Sequence, residues 1–511
     1  MKPVAHRGLG RQLVLNSFAI GVYNLVYLVI GLWYARYLVN TLGIAMQAVV
    51  PVAASFVAYI QFATTTVSGS VGRFVLADIA RGDPAAANRT FNTFLVATQR
   101  ISLLLLVGVA AIVWFVVPHL DYPPGYLNTT RFVFAAILLS AIIQTWSMCF
   151  DCAIWISGRI DVRNWILVVE LVLRNGTVFL LFTLDQPNLG YIGVGCLIAP
   201  LASLALYILV WKKFTPELTI NSTLYDKARF REIKNVGGWS VVMQLGSMLL
   251  FNADMILLNV LLGRQIQGSY GLLLMWSNIF RGLFVGLSQM VSPSIIALQA
   301  NGENEKLVDL AIKSVRTQGL LMSIPVGVLC GLAAPALNWW MGAKGPEITF
   351  LAPLAWVILV PLVIEGAFLP SVIIIQLPSI IAYPAIVTLI LGVVNVILGI
   401  GLVKFTNMGM YGMAAAVAIT SLLRHAILLP IYAAKIMRQP WYVLIQQFAQ
   451  VIIQFAITSI IAFYFSQFLT TRSLPQLLLA ASAAGGIATG LALLQLSRDE
   501  RTRLMAMILR R

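Results

Sequence analysis

The chain is 511 residues long, 60% of them hydrophobic and only 10% charged, with a mean hydropathy of +0.90. An ordinary soluble domain is about a quarter charged, so this composition excludes a water-soluble globule and a disordered chain and indicates a polytopic membrane protein. The formal charge is +16, from 34 Lys and Arg against 18 Asp and Glu, and whether it signals nucleic acid or a membrane depends on where it sits.

A spanning helix takes about 20 predominantly apolar residues. The apolar runs here are continuous rather than alternating, which selects helices over a closed barrel. Fourteen spans are predicted, at 13–39, 42–70, 91–118, 131–157, 164–184, 189–211, 236–262, 269–297, 317–341, 348–376, 379–403, 408–434, 443–468 and 474–496. The basic stretch Met1 to Arg11 precedes a run too long for a signal-peptide core, so the first span is read as retained. The shortest turns are Asn40-Thr41 and Leu377-Pro378. In the fourth span, Cys149 and Cys152 form a lone C-x-x-C, short of the ligands a zinc site needs and without a thioredoxin-like context, and read as helix-packing residues.

With the N-terminus inside, the inner segments hold 24 Lys and Arg and the outer segments 5. That asymmetry is the positive-inside pattern. It places both termini in the cytoplasm and turns most of the +16 into topology, with no nucleic-acid partner.

The polar connection around 213–235 divides the chain. Residues 1–212 form a six-helix lobe, 213–235 a cytoplasmic linker, 236–437 a second six-helix lobe, and 438–511 two further spans with a basic tail. Leu224 to Lys234 is basic enough to lie as a helix on the inner leaflet. The lobes echo each other. Leu42-Gly43 and Gly82-Asp83 recur as Leu262-Gly263 and Gly302-Glu303, both offset by 220 residues. An even number of spans per unit makes these parallel repeats.

Arg36, Arg100, Arg174, Arg281 and Arg424 fall inside spans, as do Asp151, Glu170, Asp254 and Glu365. Each such charge costs about 2.5–3.5 kcal/mol on insertion scales and is expected to face a polar cavity or a partner. Arg36 and Arg100 lie close enough to a span end to reach a headgroup. Asp151 reads as structural. Glu170 and Arg174, four apart, form either an ion pair or a cavity in which the acid poises the base. Arg281 and Arg424 lie near mid-membrane with no acid within four residues, and are expected to face an internal aqueous cavity. His425 points about 100° away from Arg424 on a regular helix and reads as packing or a weak polar contact. Asp254 and Glu365 either neutralise these arginines or titrate as coupling groups. A net positive cavity suits an anionic substrate, and the planar guanidinium fork suits phosphate.

The sequence has no phosphate-binding P-loop, zinc-hydrolase or EF-hand motif, and its predicted outer loops are short. No enzymatic activity, metal or cofactor is expected.

The chain resembles the polysaccharide flippases, the O-antigen and exopolysaccharide translocases of the multidrug, oligosaccharidyl-lipid and polysaccharide exporter superfamily. The resemblance rests on Gly72-Arg73-Phe74 through Ala80-Arg81-Gly82-Asp83, and on Asn88-Arg89-Thr90. In the second half it rests on Asn252-Ala253-Asp254 through Leu262-Gly263, Gly268-Ser269-Tyr270 and Pro293. It implies an all-α protein with two six-helix lobes around a central cavity plus two C-terminal helices. It further implies alternating access carrying an undecaprenyl-pyrophosphate-linked oligosaccharide from the inner to the outer leaflet. Arg174, Arg281, Arg424 and Arg100 are the substrate-binding candidates, and Glu170, Asp254 and Glu365 the charge or coupling partners. Membrane lipids and a polysaccharide polymerase machinery are the further partners. Two relatives in the superfamily stand as alternatives: a cation-coupled small-molecule exporter and a peptidoglycan-precursor flippase. The latter is known for arginines in its first two spans, where this chain offers only Arg36.

Overall fold

The computed structural model describes residues 9–68, 71–376, 382–468 and 473–495. The Leu377-Pro378 turn, most of the basic N-terminal stretch and the basic tail lie outside them. Among the described residues, 13 helices are long and apolar enough to cross a membrane. They become 14 when Asn304–Gly331 and Ala333–Met341, bent by 70° at Leu332, are taken as one span. The protein is all-helical, as the continuous apolar runs require.

The helices used below are α1 (Leu9–Leu42), α2 (Val49–Ser68), α3 (Val71–Ala80), α4 (Pro84–Ala111), α5 (Leu127–Phe150), α6 (Ile160–Leu184), α7 (Gly190–Phe214), α8 (Lys227–Phe251), α9 (Ala253–Leu262), α10 (Arg264–Ala300), α11 (Asn304–Gly331), α12 (Ala333–Met341), α13 (Ala352–Gln376), α14 (Ala382–Phe405), α15 (Met410–Leu422), α16 (Leu429–Ile436), α17 (Gln447–Phe468) and α18 (Leu474–Gln495). The chain forms two compact units. One is Met1–Met248 with Met255–Gly268, and the other is Leu249–Asp254 with Ser269–Arg511.

The first unit packs α5 on α7, α6 on α7 and α1 on α6. Phe91 and Trp211 stack at 5.4 Å, with Phe150 edge-on to the indole at the same distance. Close approach of α7 to α6 needs a glycine. A Cβ on Gly195 would meet the Arg174 carbonyl oxygen at 2.6 Å, so this contact fixes the backbone of a candidate site residue.

The connection between the predicted lobes is stitched to the first half of α4. Asn92 donates to the Thr219 carbonyl (2.8 Å) and accepts from the Asn221 N–H (2.7 Å), while Thr93 accepts from the Asp226 N–H (3.0 Å). Asp226 caps α8 through the amides of Ala228 and Arg229. From there α8 runs unbroken to Phe251, so the basic stretch from Lys227 to Lys234 is the start of the spanning helix rather than a separate surface helix. Side-chain capping of orphan amides explains the start.

In the second unit α11 packs on α13 and α17. Gln318 donates to the carbonyls of Phe284 (3.2 Å) and Gly366 (2.8 Å). It thereby ties α10 to α13, where a Cβ on Gly366 would enter the Phe284 ring at 2.7 Å. The break between α8 and α9 frees carbonyls, and Asn395 of α14 donates toward those of Leu249 and Leu250 (3.2 and 3.3 Å). This is the partner a buried backbone acceptor needs. A row of buried alanines in α18 (Ala480, Ala484, Ala488, Ala492) recurs every fourth residue, the spacing of one helix face.

The 220-residue echo extends to the hydrogen bonds. Gly43 N–H donates to Val39 O and Gln47 N–H to Gly43 O; Gly263 and Gln267 repeat this with Asn259 and Gly263. Gly82, Asp83 and Ala87 donate to Ile79, Asp78 and Asp83, and Gly302, Glu303 and Leu307 repeat that set with Gln299, Leu298 and Glu303. All four glycines hold positive φ, at 82°, 83°, 77° and 71° for Gly43, Gly263, Gly82 and Gly302, the region that favours a residue without Cβ.

Candidate functional site

Two groups of intramembrane charges stand out, one in each unit. In the second unit, α10 presents Arg281 and α13 presents Glu365, and the guanidinium donates to the carboxylate at 3.1 Å. Arg281 also lies over the Phe251 ring, 4.0 Å from its centroid. That arrangement adds a cation–π attraction and leaves the buried Nε of Arg281 without a hydrogen-bond partner. Arg424 of the same unit is within electrostatic reach of both Glu365 and Arg281. Tyr270, which binds Asp254, is within electrostatic reach of Arg281 as well, so the two cations share this part of the unit with two carboxylates.

Arg424 sits in a π-helical turn, Leu423–Leu428, between α15 and α16. Pro430 follows it and has no N–H to give to the carbonyl four residues back, a standard cause of local helix distortion. The guanidinium donates from Nε to Thr388 Oγ1 at 3.0 Å, and NH1 lies 3.0 Å from His425 Nε2. His425 is buried and in polar contact with Arg424. The wider turn and the length of the arginine let the guanidinium fold back to its neighbour. The imidazole is held from the other side by Ser421, whose carbonyl oxygen lies 3.1 Å from Nδ1. Asp254 accepts from the Tyr270 hydroxyl at 3.1 Å.

The first unit contains a cavity of about 380 Å³. Tyr23 and Tyr27 line it from α1, Gln144 from α5, and Arg163, Glu170 and Arg174 from α6, with Asp151 and Tyr207 completing the polar wall. Glu170 accepts from Gln144 Nε2 at 2.9 Å. No ion pair joins Glu170 to Arg174 among the described residues, and Arg174 donates no side-chain hydrogen bond there. Glu170 and Arg174 thus both line the cavity without pairing with each other. Asp151 is buried; it takes the Trp155 indole N–H on Oδ2 at 3.2 Å and faces Arg163 at 3.7 Å, while its Oδ1 is buried without a partner.

Arg100 is elsewhere. It is exposed and lies over the ring of Tyr225, 4.5 Å from the centroid, away from the residues that line this cavity. The survey of sequence charges did not select Tyr23, Tyr27, Gln144 or Arg163. A tyrosine pair four residues apart and an amide inside apolar runs were the signals available, and they become informative only once helix rotations bring them to one wall. Among the described residues no cluster of His, Cys, Asp or Glu could hold a metal ion.

No protein-family model matches the chain. The uncharacterized membrane protein EpsK of Bacillus subtilis (strain 168) is 29% identical over 425 residues, 83% of this chain and 82% of that one. An inward-facing multidrug resistance MATE family transporter of the MOP superfamily superposes with a TM-score of 0.65 at 14% identity, over 84% of this chain and 95% of that structure. The lipid II flippase MurJ, in an inward closed conformation, superposes with a TM-score of 0.62 at 15% identity, over 94% of this chain and 98% of that structure. The fold is that of the MOP-superfamily membrane transporters, and the chain is a multi-pass membrane protein.

Proposed function

We propose that the protein is an alternating-access flippase that moves an undecaprenyl-pyrophosphate-linked oligosaccharide from the inner to the outer leaflet for surface polysaccharide synthesis. The observation that carries this reading is the pair of intramembrane guanidiniums of the second unit, Arg281 and Arg424, both within electrostatic reach of Glu365. The planar donor fork of a guanidinium suits a pyrophosphate. Arg174 supplies a further cation in the first unit, and Arg100 one near the inner surface. The prenyl tail stays in lipid. A membrane potential of 100 mV, negative inside, contributes about 2.3 kcal/mol per charge moved and favours outward release of an anion. The likeness to the lipid II flippase supports a lipid-linked cargo, and the basic inner segments favour a cytoplasmic location for both termini.

The test is transport of a fluorescent polyprenyl-pyrophosphate-linked saccharide across proteoliposomes. Single Arg281→Ala and Arg424→Ala substitutions are expected to slow it at least tenfold; normal rates in both would refute the assignment. A second reading, a cation-coupled exporter, is favoured by the buried Asp254–Tyr270 pair and by the likeness to the multidrug transporter. It requires efflux that depends on Asp254 and Glu365 and ignores the arginines.

A further inference from the structure

We propose that the cavity of the first unit is a saccharide-binding site for sugar rings of the cargo. The proposal rests on the flippase reading for the origin of the sugar and on the cavity itself for its chemistry.

Three features of the wall agree. The first is charge balance. Asp151 and Glu170 face the cavity together with Arg163 and Arg174, so the wall carries equal numbers of acids and bases. A bare pyrophosphate meets two carboxylates here, and an organic cation meets two guanidiniums. A sugar hydroxyl both donates and accepts, so it satisfies either kind of partner without bringing charge.

The second is the spare hydrogen-bonding capacity. Arg174 lines the cavity and donates no side-chain bond among the described residues, and Glu170 meets Gln144 through one oxygen, which leaves the other free to accept. An apolar ligand leaves both groups unused, whereas a polyol donates to Glu170 and accepts from Arg174.

The third is the aromatic wall. Tyr23 and Tyr27 stand one helical turn apart on α1 with ring centroids at 6.1 Å and planes inclined by 37°. Such a pair offers two apolar faces to the C–H faces of successive sugar rings, with phenol hydroxyls at the edge. The volume of about 380 Å³ falls in the range of roughly 300–1,000 Å³ usual for small-molecule sites.

The test uses the full-length protein in lipid nanodiscs and reads affinity from ligand-induced shifts of the melting curve. The probes are maltotriose, chitotriose and trigalacturonate as neutral, amino and acidic saccharides, sodium pyrophosphate as the bare anion, and tetraphenylphosphonium as an organic cation. At least one trisaccharide is expected to bind. Tyr27→Leu on α1 and Gln144→Leu on α5 should each weaken it about tenfold or more while leaving pyrophosphate affinity unchanged. The two variants lie on different helices, so if one fails to fold the other still decides.

Pyrophosphate binding that is lost in Arg174→Gln and Tyr27→Leu, with no trisaccharide bound, overturns the saccharide site but leaves the flippase reading standing. Tetraphenylphosphonium binding that depends on Tyr27, again with no trisaccharide bound, overturns both. Silence of every probe overturns the saccharide site, and transport in the Arg281 and Arg424 variants then judges the flippase reading separately.

Discussion

The side-chain amide of Asn259 clasps the backbone of Asp121: Oδ1 accepts from the Asp121 N–H at 2.9 Å and Nδ2 donates to its carbonyl at 3.2 Å. The Asp121 carboxylate in turn receives the Arg264 N–H at 2.8 Å and its guanidinium at 2.5 Å. Residues 255–268, which follow the predicted lobe boundary by some twenty positions, are thereby fastened to the loop after α4. Asn259 is buried while the carboxylate of Asp121 is 39% exposed. Asn259→Ala strands two backbone groups and should cost about 1–3 kcal/mol. Arg264→Ala removes a partly solvated pair and should cost about 1 kcal/mol or less. Thermal unfolding in detergent tests the order; a larger loss for Arg264→Ala contradicts it.

The repeat offers a matched experiment. Gly43 and Gly263 hold the same backbone conformation, but a Cβ on Gly43 meets open space, whereas on Gly263 it meets Asp121 Oδ2 at 3.0 Å. Alanine at either position pays the left-handed strain, about 1–2 kcal/mol. At Gly263 it also displaces the carboxylate that binds Arg264. Gly263→Ala should therefore melt below Gly43→Ala, and Asp121→Ala in the Gly263→Ala background should add less than it does alone. Equal melting temperatures for the two glycine variants would show that the clasp yields freely.

Arg229 reaches back from α8 to Asp78 of α3 with NH2 at 2.8 and 2.9 Å from the two carboxylate oxygens. Thr90 Oγ1 donates to the same carboxylate at 2.5 Å. Asp78 is nearly inaccessible, with its side chain 4% exposed. Asp78→Ala leaves the guanidinium of Arg229 without its carboxylate, a change that costs about 3–5 kcal/mol when both groups are buried and less here because Arg229 keeps 19% of its side-chain exposure. The segment 215–226 should then become a cleavage site in limited proteolysis while the spans stay protected. Resistance equal to that of the unaltered protein would mean the stitches from Asn92 and Thr93 suffice.

The helical class, the span count and the repeat were legible because each rests on a pattern along the chain: continuous apolar runs, alternating loop charge, and glycines at a fixed offset. Pairings across helices were not. Arg281 and Glu365 are 84 residues apart, and nothing local distinguishes Glu365 from Asp254 as the partner of an intramembrane arginine. The spacing of Glu170 and Arg174 suggested a pair, yet Gln144 competes for the carboxylate. The contact of His425 with Arg424 is closer than a regular 100° rotation suggests, because Pro430 disturbs the helix there. The unbroken start of α8 was hidden by its basic composition, which reads as surface until the docking of Arg229 on Asp78 is seen.

Glu365 separates the two functional readings most sharply. Its carboxylate opposes Arg281 at 3.1 Å and also attracts Arg424, so it offsets part of the field that a pyrophosphate would feel. Two unit charges about 8 Å apart interact by about 2 kcal/mol at an effective dielectric of about 20. The side chains of Arg281 and Glu365 are 25% and 11% exposed, so solvent reduces this to about 1 kcal/mol, or roughly fivefold in affinity. Under the flippase reading, Glu365→Gln should tighten binding of a polyprenyl pyrophosphate about fivefold and slow transport, because a head held more firmly leaves more slowly. Arg281→Ala should weaken binding. A cation-coupled exporter makes the opposite use of the same group: Glu365→Gln would abolish efflux outright and leave anion affinity unchanged. Equilibrium binding of the lipid to nanodisc-embedded protein, measured beside transport, tells these apart, since only an anion site gains affinity when its carboxylate is neutralised.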